Sequence, residues 1–132
     1  MDKKVFIIED DANILYGLQA KFSLAGFKVE TSNGSSTTQE LITDLKKSKA
    51  NFIILDLILP TMDGFEVIKL IKSDSEISSL PVFVFTNLSD SDTKSRIETL
   101  GIKFYFLKTD LDLDSFVAKV VKITDNVEKS KK

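Results

Sequence analysis

The chain has 132 residues, the length of one ordinary domain, and its 42% hydrophobic and 29% charged residues are the balance of a soluble globular protein with a single core. It contains no cysteine and no histidine, which excludes disulfides, thiolate or imidazole metal sites, thiol nucleophiles, Ser-His-Asp catalysis and a role as phosphohistidine donor. The formal charge of −2 gives no global attraction to nucleic acid or to an anionic membrane.

Met1-Asp2-Lys3-Lys4 leads into a short apolar run that stops at Glu9, which is not a signal peptide. No apolar run approaches the roughly 18 residues that a membrane span needs. The expectation is a cytoplasmic chain. Val5-Phe6-Ile7-Ile8 predicts a first buried strand. Ala12 to Ala25 carries Ile14, Leu15, Leu18, Phe22 and Ala25 at helical spacing, with Gly26 placed to end the helix. Phe27 to Thr31 alternates like an edge strand. After the Asn33-Gly34 turn signal, Ser35 to Lys47 reads as a second helix. Phe52-Ile53-Ile54-Leu55 is a third strand ending at Asp56. Pro60 and Gly64 punctuate a loop before a helix over Phe65 to Lys72. Asp63-Gly64 reads as a turn whose glycine takes a backbone angle that other residues resist. Val82 to Phe85 is a fourth strand ending at Thr86, followed by a more polar helix over Ser89 to Leu100. Lys103 to Leu107 is a fifth strand ending at Lys108. Leu113, Phe116, Val117, Val120 and Val121 form the inner face of a last helix.

Strands that are apolar throughout are covered on both faces, as in a parallel sheet, and their alternation with helices predicts an α/β doubly wound fold. In such a sheet, ligands sit beyond the carboxyl ends of the strands. Glu9-Asp10-Asp11, Asp56, Thr86 and Lys108 all fall at strand ends and should converge there. Several carboxylates in one pocket repel each other and need a counter-charge or a proton. Hard oxygen donors favour a hard cation such as Mg2+. A carboxylate can also act as a nucleophile and form an aspartyl-phosphate, with a metal, a hydroxyl and an ammonium neutralising the phosphoryl oxygens.

The order acidic pair, Asp, Thr, Lys, together with IIEDD at 7–11 and DLILPTMDGFEV at 56–67, resembles the receiver domains of two-component response regulators. The likeness runs from about Lys4 to about Val121. It implies a flavodoxin-like (βα)5 sandwich with a five-stranded parallel sheet in order 2-1-3-4-5. It implies Asp56 as phosphoacceptor and Mg2+ held by Glu9, Asp10, Asp56 and the backbone carbonyl of Ile58, with Asp10 the more direct ligand of the acidic pair. Thr86 would turn its hydroxyl to the phosphoryl group, Lys108 would pair with a phosphoryl oxygen or with Asp56 before transfer, and Tyr105 would be the aromatic switch that rotates inward as Thr86 moves. The implied partners are a sensor histidine kinase or a histidine phosphotransfer protein, a downstream protein target and, on phosphorylation, a second copy. Neither nucleic acid nor membrane is expected to bind directly. The chain would be a signalling switch and not an enzyme proper, with Mg2+-dependent self-phosphorylation and slow self-dephosphorylation.

Each position also has an ordinary structural reading. Acidic residues after a strand often cap the next helix, and Asp11 fits that role as well as a metal role. Thr86 suits a strand, Lys108 suits a solvated surface, and Tyr105 could simply alternate onto a sheet face between Phe104 and Phe106. The chain departs from the family where Thr109 stands in place of the usual proline after the lysine, which predicts a trans peptide there. Asn87 stands where a small residue is usual. Both departures keep open a pseudo-receiver, a binding or dimerisation module without phosphorylation. An aspartyl-phosphate phosphatase would need an acid where Ile58 stands. A nucleotide or flavin binder would need a glycine-rich loop where Glu9-Asp10-Asp11 stands. Residues 1–125 are expected to form the receiver and 126–132 a charged tail, frayed from Glu128 on. With no effector domain after the fifth helix, output would run through the face around Lys94, Arg96, Lys103 and Tyr105.

Overall fold

The structure, a computed structural model, describes residues 3–130. Met1, Asp2, Lys131 and Lys132, on which parts of the leader and tail readings fall, lie outside the described residues. Five strands alternate with five helices: β1 Lys4–Ile8, α1 Ala12–Leu24, β2 Lys28–Ser32, α2 Thr38–Ser48, β3 Phe52–Leu55, α3 Gly64–Ser73, β4 Val82–Thr86, α4 Ser91–Thr99, β5 Phe104–Leu107 and α5 Leu113–Ser130. The strands form one parallel sheet in the order β2-β1-β3-β4-β5. This is the flavodoxin-like doubly wound arrangement expected from the sequence. None of the helices among the described residues is long and apolar enough to cross a membrane.

Because side chains alternate along a strand, an all-apolar strand feeds two cores. Phe6, Ile8, Ile53, Leu55, Val82 and Val84 face α2, α3 and α4 through Leu41, Leu45, Ile68, Ile71 and Ile97. Val5, Ile7, Phe52, Ile54, Phe83 and Phe85 face α1 and α5 through Leu15, Leu18, Phe22, Phe116 and Val120. The second core is largely aromatic. Phe22, Phe27, Phe52 and Phe83 meet edge-on or tilted at 5.6–6.0 Å, and Phe85 stacks on Phe116 at 3.9 Å. Only the edge strands β2 and β5 are half-exposed along most of their length.

Helix starts are set by short polar side chains that satisfy free N–H groups. Asp11, Asp63 and Asp90 accept from the first turns of α1, α3 and α4, and Thr37 forms a reciprocal capping box with Glu40. That box places the start of α2 three residues after the Ser35 expected from the sequence. At the other end of the chain, α5 runs to Ser130, through residues read from sequence as the start of a charged tail at 126.

Gly64 corrects another expectation. Positive φ among the described glycines belongs to Gly26, Gly34 and Gly101, at 95°, 75° and 82°. Gly64 is needed for space instead: a Cβ there would stand 2.5 Å from the Leu57 Cα and 2.7 Å from its carbonyl oxygen. Gly64→Ala is therefore expected to cost about 3 kcal/mol through backbone overpacking. Gly26→Ala, which has φ of 95° and no atom within 4 Å of its Cβ, should cost only about 1 kcal/mol of backbone strain. Urea midpoints of the two variants check this, and equal losses would contradict the spatial argument for Gly64.

Candidate functional site

The chain leaves β1 toward β2 on one side and returns to β3 on the other, so the loops after β1 and β3 part and open a crevice between them. Glu9 extends β1 by one residue, its N–H donating to the Ser32 carbonyl at 3.0 Å. Asp56 does the same for β3, its N–H donating to the Ile8 carbonyl at 3.0 Å. Both side chains are buried, with residue exposures of 2% for Glu9 and 5% for Asp56. Asp10 is exposed at the rim, and carboxylate oxygens of Glu9, Asp10 and Asp56 lie within 4.8 Å of one another.

Lys108 supplies the counter-charge. Its Nζ lies 2.7 Å from Glu9 Oε1 and 3.0 Å from Asp56 Oδ2. Lys108 thus contacts both carboxylates, Asp56 and Glu9. The backbone of Lys108 is fixed as well, because its N–H donates to the Thr86 carbonyl at 2.9 Å. The peptide between Lys108 and Thr109 is trans. Burial pushes the Glu9 carboxyl up to about 7, the hydrogen bond from Lys108 resists that rise, and the Asp56 charge adds to it. Burial pulls the Lys108 ammonium down, but its hydrogen bonds to Glu9 and Asp56 outweigh this and hold it above the ordinary lysine value. Two carboxylates and one ammonium thus share a nearly dry cage that retains a proton near neutrality.

Three acidic neighbours divide into three roles. Glu9 pairs with Lys108, Asp10 faces the rim, and Asp11 caps α1 by accepting from the Ile14 N–H at 3.1 Å. Asp11 thus takes the capping role. Ile58 lies half out of the protein, and its N–H donates to Asp56 Oδ1 at 3.3 Å. Asn87 is exposed.

Thr86 is fully buried at the end of β4, and its Oγ accepts from the Leu88 N–H at 3.3 Å. The Tyr105 hydroxyl donates to the Leu88 carbonyl. One peptide segment therefore holds both residues read from sequence as a switch. The Leu88 side chain packs partly into the core, as Tyr105 does. Burial, with the Asp90 charge, pushes the Tyr105 phenol up, so it stays a donor. Of the expected output face, Arg96 is already engaged, its guanidinium 3.6 Å from the centre of the Phe65 ring.

Residues 5–121 match the response regulator receiver domain family, and the chain belongs to that family. It is a receiver domain of two-component signalling. The transcriptional regulatory protein CrdR of Helicobacter pylori is 32% identical over 121 residues, covering 91% of this chain and 54% of that protein. The DNA-binding dual master transcriptional regulator RpaA of Synechocystis sp. is 27% identical over 132 residues, covering 98% of this chain and 53% of that protein. The chain spans about half the length of the curated relatives it matches. Among solved structures, a CheY-like response regulator receiver domain protein from Methanospirillum hungatei superposes with a TM-score of 0.84 at 20% identity, covering 98% of this chain and 99% of that one. The chemotaxis response regulator CheY4 of Vibrio cholerae gives 0.79 at 21% identity, covering 93% and 99%. These structural likenesses bear on the fold, which they share.

Proposed function

We propose that this domain is a phosphoacceptor. Asp56 takes a phosphoryl group from the phosphohistidine of a sensor kinase or histidine phosphotransfer protein, in the cytoplasm and with Mg2+ present. The observation that carries this reading is the buried Asp56 carboxylate, bound by Lys108 on one oxygen and grouped with Glu9 and Asp10. The donor set suits magnesium: the grouped side-chain donors are all carboxylate oxygens, and exposed Asp10 leaves room for waters. Glu9, Asp10, Asp56 and the carbonyl of Ile58 would hold the ion, which when bound supplies positive charge to the phosphoryl oxygens.

In the transfer, a carboxylate oxygen of Asp56 forms the new O–P bond. The P–N bond to the partner's imidazole breaks, and its electron pair returns to the ring nitrogen. Lys108 follows a phosphoryl oxygen and keeps its charge on the acceptor. The Thr86 hydroxyl turns to another oxygen and leaves the Leu88 N–H, which disturbs the segment that also holds Tyr105. Such a shift moves a pre-existing equilibrium of the β4–α4 and β5 region and so controls docking. By likeness to the transcriptional regulators among its relatives, the controlled effector is a DNA-binding one.

The test is intact mass after incubation with Mg2+ and acetyl phosphate, with Asp56→Asn alongside. One added phosphoryl group, absent in the variant and without Mg2+, is expected. No added mass, even with a cognate kinase, would leave a docking module without phosphorylation. The added group should also persist. Ile58, two residues after Asp56, and Leu88, two residues after Thr86, carry no group that can orient an attacking water. A time course of the mass after donor removal should show a lifetime of minutes or longer, and loss within seconds would overturn this expectation.

A further inference from the structure

The Ile58 carbonyl lies in a loop, Ile58 to Asp63, outside the helices and strands. A backbone carbonyl is not aimed by its own side chain, so its place depends on what holds the loop. The base is closed by an antiparallel bridge between Ile58 and Asp63, with the Gly64 N–H donating to the Leu57 carbonyl at 3.2 Å. Leu59 and Met62 pack partly against the core, a contact that holds the loop without directing it. Of the loop's two polar side chains, Asp63 caps α3. Thr61 reaches outward instead. Its hydroxyl lies 2.7 Å from the Gly34 carbonyl oxygen and 3.0 Å from that of Ser36, both between β2 and α2. A hydroxyl has one proton to donate, so the two carbonyls share it.

The receiving loop is itself fixed. The Ser32 carbonyl accepts from the Glu9 N–H, and the Ser32 hydroxyl oxygen accepts from the Gly34 N–H at 3.2 Å. Asn33 Oδ1 accepts from the Ser35 N–H at 3.0 Å, and Thr37 then starts α2 with its capping box. Gly34 is buried against the residues that follow Ile58: a Cβ there would stand 3.0 Å from Leu59 Cδ2 and 3.3 Å from Pro60 Cδ. The bare backbone of Gly34 thus lets the two loops close on each other.

We propose that Thr61 is a positioning residue of the metal site: its hydroxyl fastens the tip of this loop to the β2–α2 loop and so sets the place of the Ile58 carbonyl for Mg2+. The inference rests on the phosphoacceptor reading, in which Ile58 is a ligand and Thr61 is not. With the tip free, the loop is directed only by the bridge at its base. The bond at the tip removes that freedom before the ion arrives, which lowers the ordering cost of binding.

Calorimetric titration of the metal-free full chain with Mg2+ at pH 8 should compare the wild type with Thr61→Val and Thr61→Ser. Valine keeps the branched shape without the hydroxyl, serine keeps the hydroxyl, and the position is exposed, so both should fold. Thr61→Val should bind about tenfold more weakly, the low end of the loss when a partner outside the ligand shell is removed, and Thr61→Ser within about twofold of the wild type. Amide hydrogen exchange gives a second readout that needs no ion. In Thr61→Val the amides of Ile58, Leu59 and Met62 should exchange faster while those of β3 do not, which separates a loosened loop from a general loss of stability. Equal Mg2+ affinities for the wild type and Thr61→Val would overturn the proposal and leave the phosphoacceptor reading standing. So would Thr61→Ser binding as weakly as Thr61→Val, or loop amides that exchange as in the wild type. A wild type that binds no Mg2+ would overturn the reading of the metal site and this proposal with it.

Discussion

Lys108→Met should lower stability by about 3 kcal/mol near pH 8 without Mg2+, and acetyl phosphate labelling should fall about 100-fold. The ammonium lies 2.7 Å from Glu9 and 3.0 Å from Asp56, with its side chain 9% exposed. Methionine fills similar space but leaves two buried carboxylates facing each other. Breaking a buried ion pair from one side typically costs about 3–5 kcal/mol because the remaining charge has neither water nor partner. The lower part of that range applies because Glu9 can relieve the site by taking a proton, which its burial already favours. Two further readouts follow from the same cause. The deficit should shrink as pH falls toward 5, where protonated carboxylates no longer repel. Added Mg2+ should raise the melting temperature of the variant more than that of the wild type, since it offers the missing positive charge. Melting curves that match the wild type at pH 8 would mean that the carboxylates are hydrated and that the ammonium does not hold the cage together.

The strands were legible because buried strands are apolar on both faces, as in Phe52 to Leu55, and little else in a short chain has that pattern. Helix ends were less so. Ser35, Ser36 and Thr37 are all acceptable cap residues, and only the partner three positions on, Glu40, selects Thr37. That signal is present in the sequence. The extension of α5 to Ser130 was hidden because a charged helical turn and a frayed tail have similar composition. At the site, residue types and chain order pointed to Asp56, Thr86 and Lys108 together. Glu9, Asp10 and Asp11 look alike as residue types, and only the resemblance sets the pair Glu9 and Asp10 apart from Asp11; in the fold the direction of β1 turns Glu9 inward and leaves Asp11 to cap α1. The tie between Thr86 and Tyr105 through Leu88 was invisible for a different reason. It uses backbone N–H and C=O groups, which every residue other than proline carries.

Protonation of Glu9 should set opposite pH dependences for stability and for Mg2+ binding. The folded protein raises this carboxyl from 4.5 to about 7. A raised pKa adds stability that is complete below the unfolded value. It is lost as pH rises from 4.5 through about 7, because the unfolded chain then releases a proton that the folded chain retains. The metal-free protein should therefore lose this contribution on going from pH 5 to pH 8. Metal ligands must be deprotonated, so Mg2+ has to displace the same proton. Its affinity should fall about tenfold per pH unit below 7 and level off above. Calorimetric titrations in buffers of different ionisation enthalpy should register close to one proton released per ion near pH 6. Glu9→Gln keeps the shape of the side chain and removes the titration. Its melting temperature should vary less between pH 5 and pH 8, and its Mg2+ affinity should be weaker but nearly constant over that range. If the tenfold slope persists in Glu9→Gln, the displaced proton sits on another carboxylate of the group. The burial of Glu9 would then be a matter of holding Lys108 in place and not of storing the proton.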